Sequence, residues 1–158
     1  MPRVRLRAGT EADSEAILGV HRRSILGLGK NVYSEAECVS WATGLGSDLY
    51  RGAMVGGGET FVVAEAGNDL VAFCSFKGAE IIGLYVDPAH GRKGIGSRLL
   101  QNAEERISTE RPMSITLNAA LSALGFYERH GYRTIMRKKW KTRGGLEIDV
   151  REMKKDFS

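Results

Sequence analysis

The chain has 158 residues, a formal net charge of +4 and a pI near 9.2. That length fits one domain spanning 1–158 with a sizeable core, and leaves no room for two independent catalytic domains. No apolar run approaches the roughly 18 residues of a membrane span, so no membrane partner is expected.

Residues 3–7 alternate as a short strand would. Thr10-Glu11-Ala12-Asp13 reads as a capping box opening a helix, with Ile17, Val20, Ser24 and Ile25 as its apolar face. A second box, Ser34-Glu35-Ala36-Glu37, opens a helix that runs through Trp41. Gly56-Gly57-Gly58 ends this helical part. Residues 59–65 and 69–77 read as strands joined by a Gly67-Asn68 hairpin turn, and 80–86 as a third strand stopped by Asp87-Pro88. A loop over 89–93 leads into a helix from Gly94 to about Thr109, with Ile95, Leu99, Ala103 and Ile107 as its buried stripe. Residues 113–117 read as a strand and 120–130 as a helix closed by Gly131. A hairpin of 132–142 and 146–153 around Gly144-Gly145 completes the chain. The order β-α-α-β-β-β-α-β-α-β-β implies a mixed α/β sheet, not an alternating dinucleotide-binding pattern.

Cys38 and Cys74 have neither a CxxC partner nor a histidine at ligand spacing, so no metal site is expected. The start, MPRVRLRAGTEADSEAI, lacks the apolar stretch of a signal peptide, and a cytoplasmic protein with reduced thiols is expected. The run Arg137-Lys138-Lys139-Trp140-Lys141-Thr142-Arg143 falls on a strand and reads as a solvated face. No zinc-finger spacing or aromatic RNA-binding signature accompanies it, so no nucleic-acid partner is expected.

The informative stretch is a strand, Asp-Pro, a basic glycine-rich loop and a helix. A helix N-terminus exposes unpaired N–H groups with a partial positive charge, and glycines let a phosphate approach them closely. Arg92 and Lys93 add full charges, so a polyphosphate ligand fits this segment. Gly96-Ser97 lacks the lysine of a Walker loop, and Leu99 stands where the dinucleotide fingerprint needs its third glycine.

Val86-Asp87-Pro88 followed by Gly91-Arg92-Lys93-Gly94-Ile95-Gly96-Ser97-Arg98-Leu99-Leu100 resembles the acyl-coenzyme A signature of GNAT-type (GCN-related) N-acetyltransferases, usually Gln/Arg-x-x-Gly-x-Gly/Ala. Gly91 replaces the usual first side chain, which removes one contact and keeps the amides. Asn118-Ala-Ala-Leu-Ser-Ala-Leu-Gly-Phe-Tyr-Glu-Arg-His-Gly-Tyr132 is similar to a second family segment through Ala123, Phe126, Tyr127, Glu128, Gly131 and Tyr132. The resemblance is strong over 80–132 and loose elsewhere.

The resemblance implies the GNAT acyl-CoA N-acyltransferase fold, a mixed, mostly antiparallel sheet flanked by about four helices. It implies acetyl-CoA as cosubstrate, a small-molecule or peptide amine as acceptor, and amides of Gly91, Arg92, Lys93, Gly94, Ile95, Gly96 and Ser97 on the CoA diphosphate. It further implies a bulge at Gly83, from which Leu84, Tyr85 and Val86 offer backbone groups to pantetheine and thioester. Glu80 is then the expected base, Tyr127 the acid at the CoA sulfur, and Asn118, Phe126 and Arg129 further cofactor contacts. His21, Tyr33, Trp41 and Phe76 are candidates for the acceptor pocket. The strand edge of the C-terminal hairpin offers a surface for a homodimer. A non-catalytic acyl-CoA-binding regulatory module on the same fold is the alternative.

Overall fold

The structure is a computed structural model and describes residues 3–28 and 31–157. Strands β1 (Val4–Ala8), β2 (Thr60–Ala66), β3 (Asp69–Lys77), β4 (Glu80–Val86), β5 (Ser114–Ala120), β6 (Arg133–Lys141) and β7 (Glu147–Asp156) form one sheet in the order β1-β2-β3-β4-β5-β7-β6. Every neighbouring pair is antiparallel except β4 and β5, which run parallel. Helices α1 (Ser14–Leu28), α2 (Glu35–Ala42) and α3 (Ser47–Val55) precede β2, α4 (Ile95–Ser108) follows β4, and α5 (Leu124–Arg129) follows β5. The expected mixed, mostly antiparallel sheet is therefore present, with five α-helices among the described residues where about four were expected.

Helix α2 is built as its residues dictate. The Ser34 side chain accepts from Glu37 N at 3.1 Å and the Glu37 carboxylate accepts from Ser34 N at 2.9 Å, which closes the box that opens α2. At Thr10 the Asp13 carboxylate accepts from Thr10 N, but the box opens a single 3-10 turn, and α1 begins only at Ser14. Asp13 is held by Arg7 as well, and the pairing lowers its carboxyl below the usual range. The α1 face of Ile17, Val20, Ser24 and Ile25 and the α4 face of Ile95, Leu99, Ala103 and Ile107 are buried as their spacing requires.

Two expectations need correction. Helix α3 has no sequence counterpart above: Gly46 caps it without a side-chain bond and Gly52 lies within it, so a side-chain start signal is absent and its propensity is low. What holds it is tertiary, with buried Tyr50 and partly buried Leu49, Ala53 and Met54 packed on Phe61, Val63 and Phe73. The helix expected over 120–130 begins later. Ala119 and Ala120 pair with Arg151 and Val150 of β7, a 3-10 turn spans Leu121–Ala123, and only then does α5 start. Strand pairing outweighs the helix propensity of the alanines.

The sheet has two covered faces. Helices α4 and α5 lie over one core that includes Val62, Cys74, Leu99, Leu100, Leu117 and Met153. The other face carries α1 and α3 over Phe61, Val63 and Phe73, and α2 over Ile148 and Val150. The β6–β7 turn is pinned to α2: Ser40 Oγ and Thr142 Oγ1 are 2.6 Å apart, and Gly144 N donates to Ser40 O at 3.1 Å. A Cβ on Gly144 would lie 2.6 Å from Ser40 O, too close for any side chain. Strand β6 forms the sheet edge, where Lys138 and Lys139 pair with Glu152 and Asp149 of β7. No helix among the described residues is long and apolar enough to cross a membrane.

Gly144→Ala is expected to lower stability by about 1–3 kcal/mol through this overlap. Gly52→Ala, whose Cβ would meet nothing within 4 Å, is expected to raise it by about 0.5–1 kcal/mol. Urea unfolding of the two variants beside the parent measures both changes.

Candidate active site

The site begins at a fault in β4. Phe76 pairs with Ile81 and Ser75 pairs with Gly83, which leaves Ile82 as the extra residue of a bulge. The expected bulge at Gly83 is thus found. It also reverses the strand's alternation, so Glu80 and Ile82 do not share a face with Leu84 and Val86. Ile81, Leu84 and Val86 pack on the α4 side, while Tyr85 packs among the α1, α2 and α3 residues.

Beyond the bulge β4 leaves its parallel neighbour. Glu80 and Ile81 pair with Thr116 and Leu117, and no later residue of β4 pairs with β5. The two strands diverge around a cleft of about 370 Å³. Its walls include Gly83, Leu84, Tyr85 and Val86 on one side, Asn118 on the other, and Gly96, Phe126 and Tyr127 from the helices above. Backbone groups of β4 that would have completed the β5 ladder therefore face this cleft. A Cβ on Gly96 would stand 3.3 Å from Phe126 and 3.7 Å from Leu84, so glycine lets the Phe126 ring lie close against the start of α4.

At the cleft's end the chain turns into α4. Gly94 is the N-cap at φ +77° with no side-chain cap, and Arg92 has φ +61°. Left-handed residues at this spacing fold successive amides into a concavity suited to an anion. Arg92 and Lys93 are exposed and, among the described residues, form no ion pair. Ile95 turns its side chain into the core, so only its backbone serves the loop. Ser97 Oγ lies 2.9 Å from His130 Nε2, a contact with no counterpart in the sequence reading. Gly91 precedes the loop in extended conformation, and Arg129 is exposed on α5.

Tyr127 is buried at the back of the cleft, and burial raises its phenol well above the ordinary tyrosine value. It is therefore a neutral donor across the physiological range. Glu80 is exposed at the head of β4 and belongs to the lining of neither cavity described here.

A second cavity of about 300 Å³ backs onto the first and shares Trp41, Ile82, Gly83 and Tyr85 with it. Of the four residues expected in an acceptor pocket, His21 and Trp41 line it. Tyr33 is a structural tie instead: its hydroxyl donates to Asp149 O at 2.5 Å and accepts from Leu121 N at 2.9 Å. Phe76 lies in the core on the α4 side. The sequence reading missed Glu59, Tyr50, Phe73 and Arg143 in these walls. Nothing marks them in the sequence, since they come from α3, the segment before β2, strand β3 and the β6–β7 turn.

His21 lies 2.8 Å through Nδ1 from the Tyr50 hydroxyl, and its ring tilts over Tyr85 with centroids 4.2 Å apart. Burial lowers its pKa to about 4 and pushes Tyr50 up to about 12, so both are uncharged at neutral pH.

The sheet is split at a bulge beside an uncapped helix N-terminus, in a mixed α/β domain with an unpaired strand edge and free amides side by side. The sequence model described as acetyltransferase (GNAT) domain matches residues 30–156, and the chain belongs to that family. Among solved structures, the chain is similar to a GCN5-related N-acetyltransferase from Rhodopseudomonas palustris, with 24% identity and a TM-score of 0.89 over 99% of this chain and 96% of that one. It is also similar to the PaiA N-acetyltransferase from Thermoplasma acidophilum in complex with coenzyme A, with 22% identity and a TM-score of 0.78 over 98% and 99%. YncA from Salmonella typhimurium with its cofactor acetyl-CoA shows 17% identity and a TM-score of 0.70 over 98% and 94%. At these identities the likeness is one of fold. No protein among curated sequences matches the chain.

Because folded His21 holds its pKa near 4 and an unfolded histidine titrates near 6.5, the unfolded chain binds the extra proton. The associated stability is complete above about pH 6.5 and is lost as pH falls toward 4, by up to about 3 kcal/mol. Denaturation between pH 7 and 4.5 should show this slope, and His21→Asn should flatten it.

Proposed function

We propose that this chain is an N-acetyltransferase that transfers the acetyl group of acetyl-coenzyme A to a primary amine by direct attack on the thioester. The observation that carries this reading is the unpaired edge of β4 ending at an uncapped helix N-terminus. An extended pantetheine arm is complementary to the first and a diphosphate to the second. The coenzyme A and acetyl-CoA in the two similar structures named above support the same ligand here. The residues fit it, because the main chain of Gly83, Leu84, Tyr85 and Val86 lines one wall of a cleft that reaches Gly96 at the start of α4. Asn118, Phe126 and Arg129 complete the proposed contacts around it.

In this reading the amides of residues 91–97, with Arg92 and Lys93, hold the diphosphate. Backbone amides at Leu84, Tyr85 or Val86 orient the arm and donate to the thioester oxygen as negative charge builds there, a contribution of about 3 kcal/mol per donor. Alkyl amines have pKa values of about 10 and arrive protonated. One proton must leave before attack. Glu80 is the proposed base and, standing outside the cavity walls, acts through water.

The nitrogen then forms its bond to the acetyl carbon, the carbon–sulfur bond breaks, and sulfur takes the phenolic proton of Tyr127. Burial makes a free phenolate costly, so this transfer is concerted with delivery of the second amine proton to Tyr127 through water. One proton is released to solvent per turnover.

Tyr127→Phe is expected to lower kcat by about 100-fold while calorimetry finds coenzyme A binding unchanged. Full turnover in that variant would remove Tyr127 from the reaction. No heat on titrating coenzyme A into the folded parent would remove the acetyltransferase reading itself.

A further inference from the structure

The second cavity carries information about the acceptor, and the inference rests on the acetyltransferase reading above. At about 300 Å³ it sits at the lower end of small-molecule sites, which run from about 300 to 1,000 Å³. It meets the cleft at Gly83, so a molecule seated there has its reactive end beside the bulge. Its walls are mainly rings: Phe61 and Phe73 stack with centroids 6.0 Å apart, and Tyr50 meets both edge-on. Trp140 stands 6.1 Å from Trp41, edge to face, and remains 43% exposed. Such walls select an apolar, preferably planar body.

Two charged side chains line the same cavity. Glu59 enters it from the segment between α3 and β2, and Arg143 from the β6–β7 turn. Neither forms an ion pair among the described residues. Arg143 is set in place by its neighbours. Its stem lies on Gly44, where φ is +84° and an added Cβ would stand 3.0 Å from Arg143 Cβ. Thr142 and Gly144 on either side of it are tied to Ser40. A further polar atom, His21 Nε2, is sealed from solvent with no partner. A guanidinium held at the edge of an apolar pocket is matched to a carboxylate, which it binds through two parallel hydrogen bonds. An unpaired carboxylate in the same wall is matched to an ammonium group.

We propose that the acceptor is a free amino acid with an apolar or aromatic side chain. The side chain enters the ring-lined pocket, the carboxylate meets Arg143, and the amine lies toward Glu59 and Gly83. Peptide N-termini and lysine side chains carry no carboxylate next to the amine and leave Arg143 without its partner. The reaction is the one balanced above, giving the N-acetyl amino acid, coenzyme A and one proton.

The test compares phenylalanine with phenethylamine, which differs only in lacking the carboxylate, using thiol release and mass spectrometry of the product. Phenylalanine should have a kcat/KM at least about tenfold higher. Arg143→Gln, at an exposed position, should abolish that preference by raising the KM for phenylalanine, with little change for phenethylamine. Glu59→Gln should weaken both amines. Equal turnover of the two amines by the parent, or an equal loss of both in Arg143→Gln, would overturn the proposal. Binding of acetyl-CoA with no acetylation of phenylalanine, leucine or tryptophan would overturn the acceptor class alone. Failure to bind acetyl-CoA would overturn the reading beneath it.

Discussion

The site depends on one inserted residue. Ile82 has no partner on β3, and the bulge it makes turns β4 far enough to end its pairing with β5 after Ile81 and Leu117. Every later feature follows from that break. The cleft exists because the strands separate, the main-chain groups facing it are free because a ladder has stopped, and the two cavities meet because Gly83 belongs to both walls. Unpaired backbone groups are costly when buried. They persist here because they open onto a cleft where water or a ligand serves them.

The same logic governs the start of α4. Ser, Thr, Asn or Asp at the N-cap would have satisfied one of the free amides with its own side chain. Gly94 does not, and its left-handed backbone together with that of Arg92 leaves the amides available to an outside anion. The helix gives up a local hydrogen bond and leaves those amides free. Its stability comes instead from Ile95, Leu99, Ala103 and Ile107 in the core beneath.

Local signals were legible in the sequence. The box at Ser34, the stripe on α4 and the glycine in β4 each follow from a residue and its near neighbours, and each is found. Interactions between distant segments were not legible. Helix α3 has no capping signal and forms because Tyr50 is buried against Phe61 and Phe73. Ala119 and Ala120 would favour a helix by themselves, but β7 claims them for the sheet. Within β4 the side-chain alternation changes phase at Ile82, because a bulge shifts it by one residue. Likewise, the basic run 137–143 read as a solvated face, and Lys138 and Lys139 do pair along the surface. Arg143 parts from them only because the turn folds back onto α2.

The second cavity has an uncharged histidine in its wall. In the amino-acid site proposed above, a protonated His21 beside Tyr50 and Tyr85 would put a second cation where the ammonium group is proposed to arrive. Burial keeps the imidazole neutral down to about pH 4, so Glu59 and Arg143 carry the full charges of that wall. The phenols around it are likewise held protonated, Tyr50 up to about pH 12. The β6–β7 turn is anchored through Ser40, Thr142 and Gly144, so the backbone that carries Arg143 is fixed while its side chain stays exposed.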